Sequence, residues 1–382
     1  MTGRSAELVH RIINGDETVR IFVPIIQDIE ATERPITVDQ TNESVVVGEK
    51  LVVKWMRTPA PDRSTRILAH LAANGFRRMP TPHAALFDGD NLVALVTEFL
   101  PDGQDGYDWC VDDLLAELDG GPPTRIGTEL DDSDGSPPTR IGTELDGSDS
   151  GPPTGIGAEL GALTAEMHAA LATPSVHIPH PIFAAAPADG WADLLDEALA
   201  TADVDESPAT ATEPWAPATD AAEWLRSMRP RLAADLDSPA RRNPGPAIHL
   251  HGDLHVGQIL RWRDGYAVID FDGNPTRAAR AEPVARDVAQ LRMSVLHVAE
   301  IANKRTGGRH RDALVEWGRR AADDLLTAYG KGLDLAGLGD LFRGELLRPF
   351  EVEQECRELV YADRFLPRWR YAPVGVLRSW YG

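Results

Sequence analysis

Lysine and cysteine are scarce in this chain, and a long apolar run is missing altogether. Two cysteines, Cys110 and Cys356, stand far apart with no C-x-x-C spacing. That excludes a disulfide framework and a thiolate zinc site, and both thiols are expected to be reduced and structural. No uninterrupted apolar stretch reaches the roughly 18 residues of a membrane span, and the start, MTGRSAELVHRI, lacks the basic-then-apolar order of a secretion signal. A cytoplasmic protein without a membrane partner is expected. Basic charge is also short: 38 Lys and Arg face 60 Asp and Glu, a formal net charge of -22. A nucleic-acid surface needs a basic face to displace counterions, so nucleic acid is not expected as a partner. No G-x-x-x-x-G-K-[ST] occurs, which closes the P-loop route, and GIGAELG (155–161) has the wrong spacing and no preceding strand for a dinucleotide site. The four lysines are Lys50, Lys54, Lys304 and Lys331 in a chain that otherwise uses arginine. Each marks a position where arginine was not used.

What remains is an ordinary globular composition. At 382 residues and 42% apolar content, two or more lobes can each bury a core. TVRIFVPII (18–26) alternates like a strand, and SVVVGEKLVVKW (44–55) reads as a hairpin turning at Gly48-Glu49-Lys50. TRILAHLAANGF (65–76) has helical spacing and a terminal glycine, and NLVALVTEFLPDG (91–103) reads as a buried strand running into a turn. From Pro122 a unit of 15 residues recurs at Pro137 and Pro152 (PPTRIGTELDDSDGS, PPTRIGTELDGSDSG, PPTGIGAELGALTAE). One isoleucine and one or two leucines per unit are too few to stack as a solenoid, so a flexible repeated insertion over 119–157 is expected, leading into a helix at 158–171. A second soft stretch, 203–220, is expected to be a surface loop. Beyond it the pattern is mostly helical, broken by short strands at 259–262 and 266–271 around an Asp264-Gly265 turn.

The chemistry flanks that hairpin. Phosphoryl transfer from ATP needs a carboxylate to accept the proton of the attacking hydroxyl and hard oxygen ligands for magnesium. HGDLHVGQ places Asp253 five residues before Gln258, and the hairpin returns the chain to Asp270 in IDFDG. Asp253 is thus the candidate catalytic base, Gln258 and Asp270 the candidate Mg2+ ligands, and Lys54, on a small-lobe strand, the candidate partner of the ATP phosphates. A rival reading takes His249, His251, Asp253 and His255 as a dinuclear metallohydrolase cluster, but Leu254 separates the aspartate from the last histidine and Gln258, Asp270 and Lys54 are left without a task.

Together HGDLHVGQ, VIDFDG, TNESVVVGEKLVVKW and TEFLPDGQDGYDW resemble the aminoglycoside phosphotransferase-like kinases, and within them the maltokinase-like sugar kinases of actinobacteria. VEQECRELVYADRFLPRW looks most like the glucosamine kinases of that group. The resemblance runs from about residue 35 to 373 apart from the repeats. It implies an α+β, two-lobed protein-kinase-like fold with a small β-rich N-terminal lobe (1–100) and a large helical C-terminal lobe (101–382). It also implies transfer of the ATP γ-phosphoryl group to glucosamine. Maltose, an aminoglycoside, or no turnover at all in a kinase-shaped binding protein stay open as alternatives, and a monomer is expected. By the same resemblance Glu98 and Leu100 would meet adenine through main-chain groups, and QTNES (40–44), with Ser44, would replace a Gly-rich phosphate loop. His251 and Asp287 would support the catalytic loop, although Asp287 also reads as a helix cap near Val288.

One departure is visible. From 55 to 97 the only acids are Asp62, Asp88 and Asp90, so Lys54 has no helix glutamate, and Glu43 is the substitute expected. For the acceptor, a helix over 350–364 puts Val352, Cys356, Leu359 and Val360 on one side and Gln354, Arg357, Glu358 and Tyr361 on the other. With Trp369, the last residue of the helix-breaking LPRW, these four are the candidate sugar-binding residues.

Overall fold

The computed structural model describes residues 3–37, 42–60, 62–120, 155–201, 221–263, 265–274, 277 and 280–382. The 15-residue repeats before Gly155, the 203–220 stretch, Gln40, Thr41 and Asp264 lie outside them.

Six antiparallel strands form the N-terminal sheet: β1 (Val19–Ile21), β2 (Glu33–Ile36), β3 (Glu43–Val47), β4 (Leu51–Ala60), β5 (Pro82–Asp88) and β6 (Asn91–Glu98), in the order β1-β5-β6-β4-β3-β2. The expected hairpin is β3–β4, with Val45 opposite Val53 and Ser44 opposite Lys54. Period-two alternation sends Ala84, Ala94 and Val96 to one face, where α1 (Arg4–Ile13) covers them with Leu8, Val9 and Ile12. Ala85 and Leu95 point to the other face, against Ile67, Leu68 and Leu71 of α2 (Ser64–Ala73). The strand expected over 18–26 is only three residues long, because the chain leaves the sheet edge before Pro24, which has no N–H to give a ladder.

Helices make up most of the remainder. α3 (Gly106–Leu118), α4 (Ile156–Ala172), α8 (Ala285–Arg305) and α9 (Arg311–Leu335) surround a core that includes Trp109, Leu163, Met167 and Tyr329. A second core joins α5 (Trp191–Ala200), α6 (Ala221–Ser227), α7 (Arg229–Leu236), α10 (Leu347–Phe365) and α11 (Tyr371–Tyr381) through Leu195, Leu225, Leu232, Cys356 and Leu377. Two small ribbons complete the fold, β7 (Phe183–Ala184) with β8 (Pro246–Ala247) and β9 (Ile259–Trp262) with β10 (Gly265–Val268). β10 ends at Val268, two residues before Asp270, not at 271 as the pattern suggested. Cys110 and Cys356 are free buried thiols, and burial pushes Cys356 up to about 12.

The sheet-bearing part is fastened to the helical part through α2. His70 donates from Nε2 to the Leu171 carbonyl at 3.0 Å, and Asn74 donates to the Ala170 and Thr173 carbonyls at 2.8 Å each. These are carbonyls at the α4 C-terminus, where intrahelical donors run out.

A buried charge cluster ties α8 to α10. Glu353, 3% exposed, accepts from Arg241 at 2.8 Å, from Arg286 at 2.9 Å and from Arg357 at 2.9 Å. Burial opposes its charge, but the three guanidiniums outweigh that and hold its carboxyl far below the usual carboxylate range. Removing one partner leaves the others buried and uncompensated. Glu353→Leu is therefore expected to cost about 3–5 kcal/mol in denaturant unfolding, and a loss below about 1 kcal/mol would show that the arginines are solvated without it.

Candidate active site

The segment Leu250–Asp253 runs between the two halves of the fold and is held by its backbone. Asp287, on the first turn of α8 and fully buried, accepts from the His251 N–H at 2.9 Å and the Gly252 N–H at 3.0 Å, while His168 Nε2 donates to it at 3.2 Å. Its carboxylate reaches out to another segment and does not cap its own helix, whose N-cap is Val284. Burial opposes ionisation of Asp287, yet the His168 and backbone donors prevail and depress its pKa. From the opposite side Arg63, at the start of α2, donates to the carbonyls of Leu250 at 2.7 Å, His251 at 3.0 Å and Phe271 at 2.6 Å. Gly252 has φ +84, and a Cβ there would press on the Arg63 guanidinium at 3.0 Å, so only glycine suits this bend.

His251 links the loop to the hairpin. Its Nε2 donates to the Ile269 carbonyl at 2.9 Å, which leaves Nδ1 to accept the Asp253 N–H at 3.3 Å, and burial lowers its pKa, as suits a neutral ring. Asp253 Oδ1 accepts from Asn274 Nδ2 at 3.0 Å and Gln290 Nε2 at 2.7 Å. Neither amide was marked in the sequence, because they follow Asp253 by 21 and 37 residues on separate elements.

Gln258 and Asp270 come together through the hairpin: the Ile269 N–H donates to the Gln258 carbonyl at 2.9 Å. Asp270 itself adopts φ +60, a left-handed backbone that costs a non-glycine residue about 1 kcal/mol or more. Lys54 donates to Asp270 at 2.9 Å and to Asp272 at 2.8 Å. Burial works against the Lys54 charge, but the two carboxylates more than offset it and raise its pKa. Glu43, expected to serve Lys54, instead pairs with Arg4 at 2.5 Å, since it stands opposite Trp55 in the sheet and Ser44 faces Lys54. Asp272 is the partner that local spacing did not reveal.

These donors fit a hard divalent cation. The carboxylates of Asp270 and Asp272 already hold one positive charge between them, and Gln258, whose backbone carbonyl accepts the Ile269 N–H, carries an amide oxygen of the type magnesium takes. The three-histidine alternative fails on geometry. His249 meets Phe183 edge-on, His251 faces Ile269 and His255 stacks on Tyr107, so the rings diverge. No group of three or more His, Cys, Asp or Glu among the described residues could hold a metal.

Glu98 ends β6, its carboxylate accepting from the Thr81 hydroxyl at 2.8 Å, and Leu100 is buried just beyond it. Both lie where the sheet passes into the helical part, on the strand beside that of Lys54. Ser44 is buried opposite Lys54.

On α10, Gln354 Nε2 donates to Glu358 Oε1 at 2.9 Å and Trp369 Nε1 donates to Glu358 Oε2 at 2.8 Å. Trp369 also meets Tyr107 edge-on at 6.0 Å. Tyr107 is placed there by Gly106, where any Cβ would collide with the Val256 carbonyl. Burial raises the Tyr107 hydroxyl, and the Glu358 and Asp253 carboxylates raise it further. Arg357 and Tyr361 do not join the group. Arg357 turns to Glu353, and Tyr361 is 48% exposed with its ring on Phe365.

Comparison with known proteins matches residues 110–328 to the phosphotransferase enzyme family. A glucosamine kinase of Streptacidiphilus jiangxiensis is 38% identical over 366 residues, covering 89% of this chain and 72% of that protein. A glucosamine kinase of Mycolicibacterium smegmatis is 34% identical over 360 residues, covering 90% of this chain and 78% of its own. Among solved structures, a glucosamine kinase in complex with glucosamine, ADP and inorganic phosphate superposes with a TM-score of 0.74 at 31% identity, covering 100% of this chain and 83% of that one.

The depressed pKa of Asp287 makes its grip pH-dependent. A carboxyl that binds its proton less readily when folded contributes stability above its unfolded pKa, about 3.9, and loses it as pH falls. Asp287→Asn is expected to cost about 1–3 kcal/mol at neutral pH and to flatten the fall of stability below about pH 4. Parallel stability curves for the two proteins in denaturant titrations at pH 7 and in acid would contradict this.

Proposed function

Since the chain belongs to the phosphotransferase enzyme family, we propose that it transfers the γ-phosphoryl group of ATP to glucosamine, forming ADP and glucosamine 6-phosphate. One observation carries the reading: a carboxylate fixed by two amides, Asp253, shares one structure with a Gln354–Glu358–Trp369 group that meets Tyr107 through Trp369, and both acids act on the Tyr107 hydroxyl.

The residues divide the work between donor and acceptor. Asp253 accepts the proton of the attacking sugar hydroxyl as the new O–P bond forms and the bond to the ADP oxygen breaks, with Asn274 and Gln290 holding its orientation. Lys54 gives its charge to the phosphates, and Glu98 and Leu100 offer main-chain groups to adenine, with Ser44 near the phosphate end. His251 and Asp287 keep the loop in place. Gln258 and Asp270, joined by Asp272, are the residues that would hold Mg2+. Magnesium bound there would supply positive charge against the negative charge that develops on the phosphates.

At the acceptor end, Glu358 supplies a carboxylate for the sugar ammonium, Gln354 an amide for hydroxyls, and Trp369 an apolar wall. Arg357 and Tyr361 are left out of the pocket by their contacts. ATP as donor assigns the reaction to the cytoplasm, and no described helix is long and apolar enough to cross a membrane. The protein is taken to act as a monomer.

A coupled ADP-release assay over glucosamine, maltose and an aminoglycoside tests the assignment. Turnover with glucosamine, and a 6-phosphate signal in the 31P spectrum, are expected. Turnover confined to maltose or the aminoglycoside, or none, would overturn it. Asp253→Asn should lower kcat by about 10²–10⁴-fold while ATP affinity is kept, and retained turnover would remove Asp253 from the role of base.

A further inference from the structure

The polar side chains on one face of α8 are spaced at i, i+3, i+7 and i+10, a stripe along a helix that rises about 1.5 Å per residue. Asp287 holds the catalytic-loop backbone, Gln290 holds Asp253, and Ser294 Oγ accepts the Val256 N–H at 3.0 Å. His297 completes the stripe, 2% exposed, and the reaction as described does not use it. Its Nε2 donates to Glu355 Oε2 at 3.1 Å, and its ring meets Trp369 edge-on at 5.4 Å. Glu355 is 0% exposed, and its second oxygen, Oε1, is buried without a hydrogen-bond partner.

Such a pair is a poor device for stability. Desolvating two ionisable groups costs several kcal/mol, and an apolar pair of similar shape is often as stable or more so. An orphaned carboxylate oxygen adds to the cost. What the pair does touch is the sugar end of the site. Trp369 meets Tyr107 and Tyr371 edge-on, and two further contacts orient it: its indole N–H is committed to Glu358, and its ring is packed on His297. A ring fixed on one side can present its N–H on the other in one orientation only.

We propose that His297 and Glu355 are positioning residues for the acceptor sugar, fixing Trp369 and through it the Glu358 carboxylate that recognises the amino group. This rests on the reading of Gln354, Glu358 and Trp369 as the acceptor pocket. The protonation behaviour of the pair agrees with a strong mutual hold. Burial pushes the Glu355 carboxyl up to about 7, moderated by His297, while burial pulls His297 down but Glu355, Glu358 and Glu300 together lift it more. Glu358 is a further negative neighbour of both, from the same helix as Glu355, with Glu300 beside His297 and Glu351 beside Glu355.

The test compares Glu355→Gln and His297→Phe with the unaltered full chain, measuring kcat, KM for glucosamine, KM for ATP and the thermal midpoint. The pair predicts a rise of about ten-fold or more in KM for glucosamine. KM for ATP and kcat should stay within about two-fold, and the midpoint of at least one variant should not fall. His297→Phe keeps a ring against Trp369 and gives a second chance if Glu355→Gln folds poorly. Unchanged KM for glucosamine in both variants, or parallel changes in both KM values with a fallen midpoint, overturns the proposal. Glu358→Gln separates the two readings. If it weakens glucosamine while both pair variants leave it untouched, the pocket stands and the pair fails. If it leaves glucosamine untouched, the pocket itself is misplaced and the pair falls with it.

Discussion

Leu250–Gly252 is gripped by opposite charges from its two sides, and the rest of the site depends on that grip. The carboxylate of Asp287 takes the N–H groups of His251 and Gly252, and the guanidinium of Arg63 takes the carbonyls of Leu250 and His251 together with that of Phe271. Each charge faces the end of the peptide dipole that it attracts, so the two constraints reinforce one another. Hydrogen bonds to charged groups contribute about 1.5–3 kcal/mol each, enough to keep a left-handed Gly252 and a left-handed Asp270 in place. Because Arg63 belongs to the sheet-bearing part and Asp287 to the helical part, the loop between them also registers the two halves of the fold.

From that anchor, positions propagate along a rigid element. The α8 stripe runs from Asp287 to His297 on one helix face, so the amide that holds Asp253 and the histidine behind Trp369 share one frame. The other end of the proposed site has a different logic. Lys54 is held by the carboxylates of Asp270 and Asp272, so a nucleotide and cation entering as proposed would redistribute an existing set of charges. In that reading the two ends are prepared by different means, packing at the sugar and charge at the phosphates.

Short-range spacing made the hairpin beside the candidate site readable from the chain. A tight turn between DLHVGQ and IDFDG was expected to return the chain beside Gln258, and the backbone does so where the Ile269 N–H meets the Gln258 carbonyl. Partners that depend on tertiary approach were not readable. Arg63 lies 187 residues from Leu250, and nothing in its own surroundings distinguishes it from other arginines. Lys54 finds Asp270 and Asp272 more than 200 residues away, where local reading could offer only Glu43. Periodicity also misled on α10. Its polar side runs from buried Gln354 to exposed Tyr361, with Arg357 turned to Glu353 and Gln354, Glu358 and Trp369 bonded to one another, so a helical wheel could name a polar face but not divide Arg357 from Glu358.

The central claim is that Gln258 and Asp270 receive the metal of the nucleotide while Asp253 stays free of it to meet the sugar. Anomalous diffraction from crystals grown with Mn2+, glucosamine and an unreactive ATP analogue tests this directly. The account predicts an anomalous peak coordinated by the Gln258 amide oxygen and the Asp270 carboxylate, with Lys54 drawn off at least one of its two acids and a sugar hydroxyl hydrogen-bonded to Asp253. A peak placed elsewhere, or a metal bound to Asp253 with the sugar absent from it, would contradict the account.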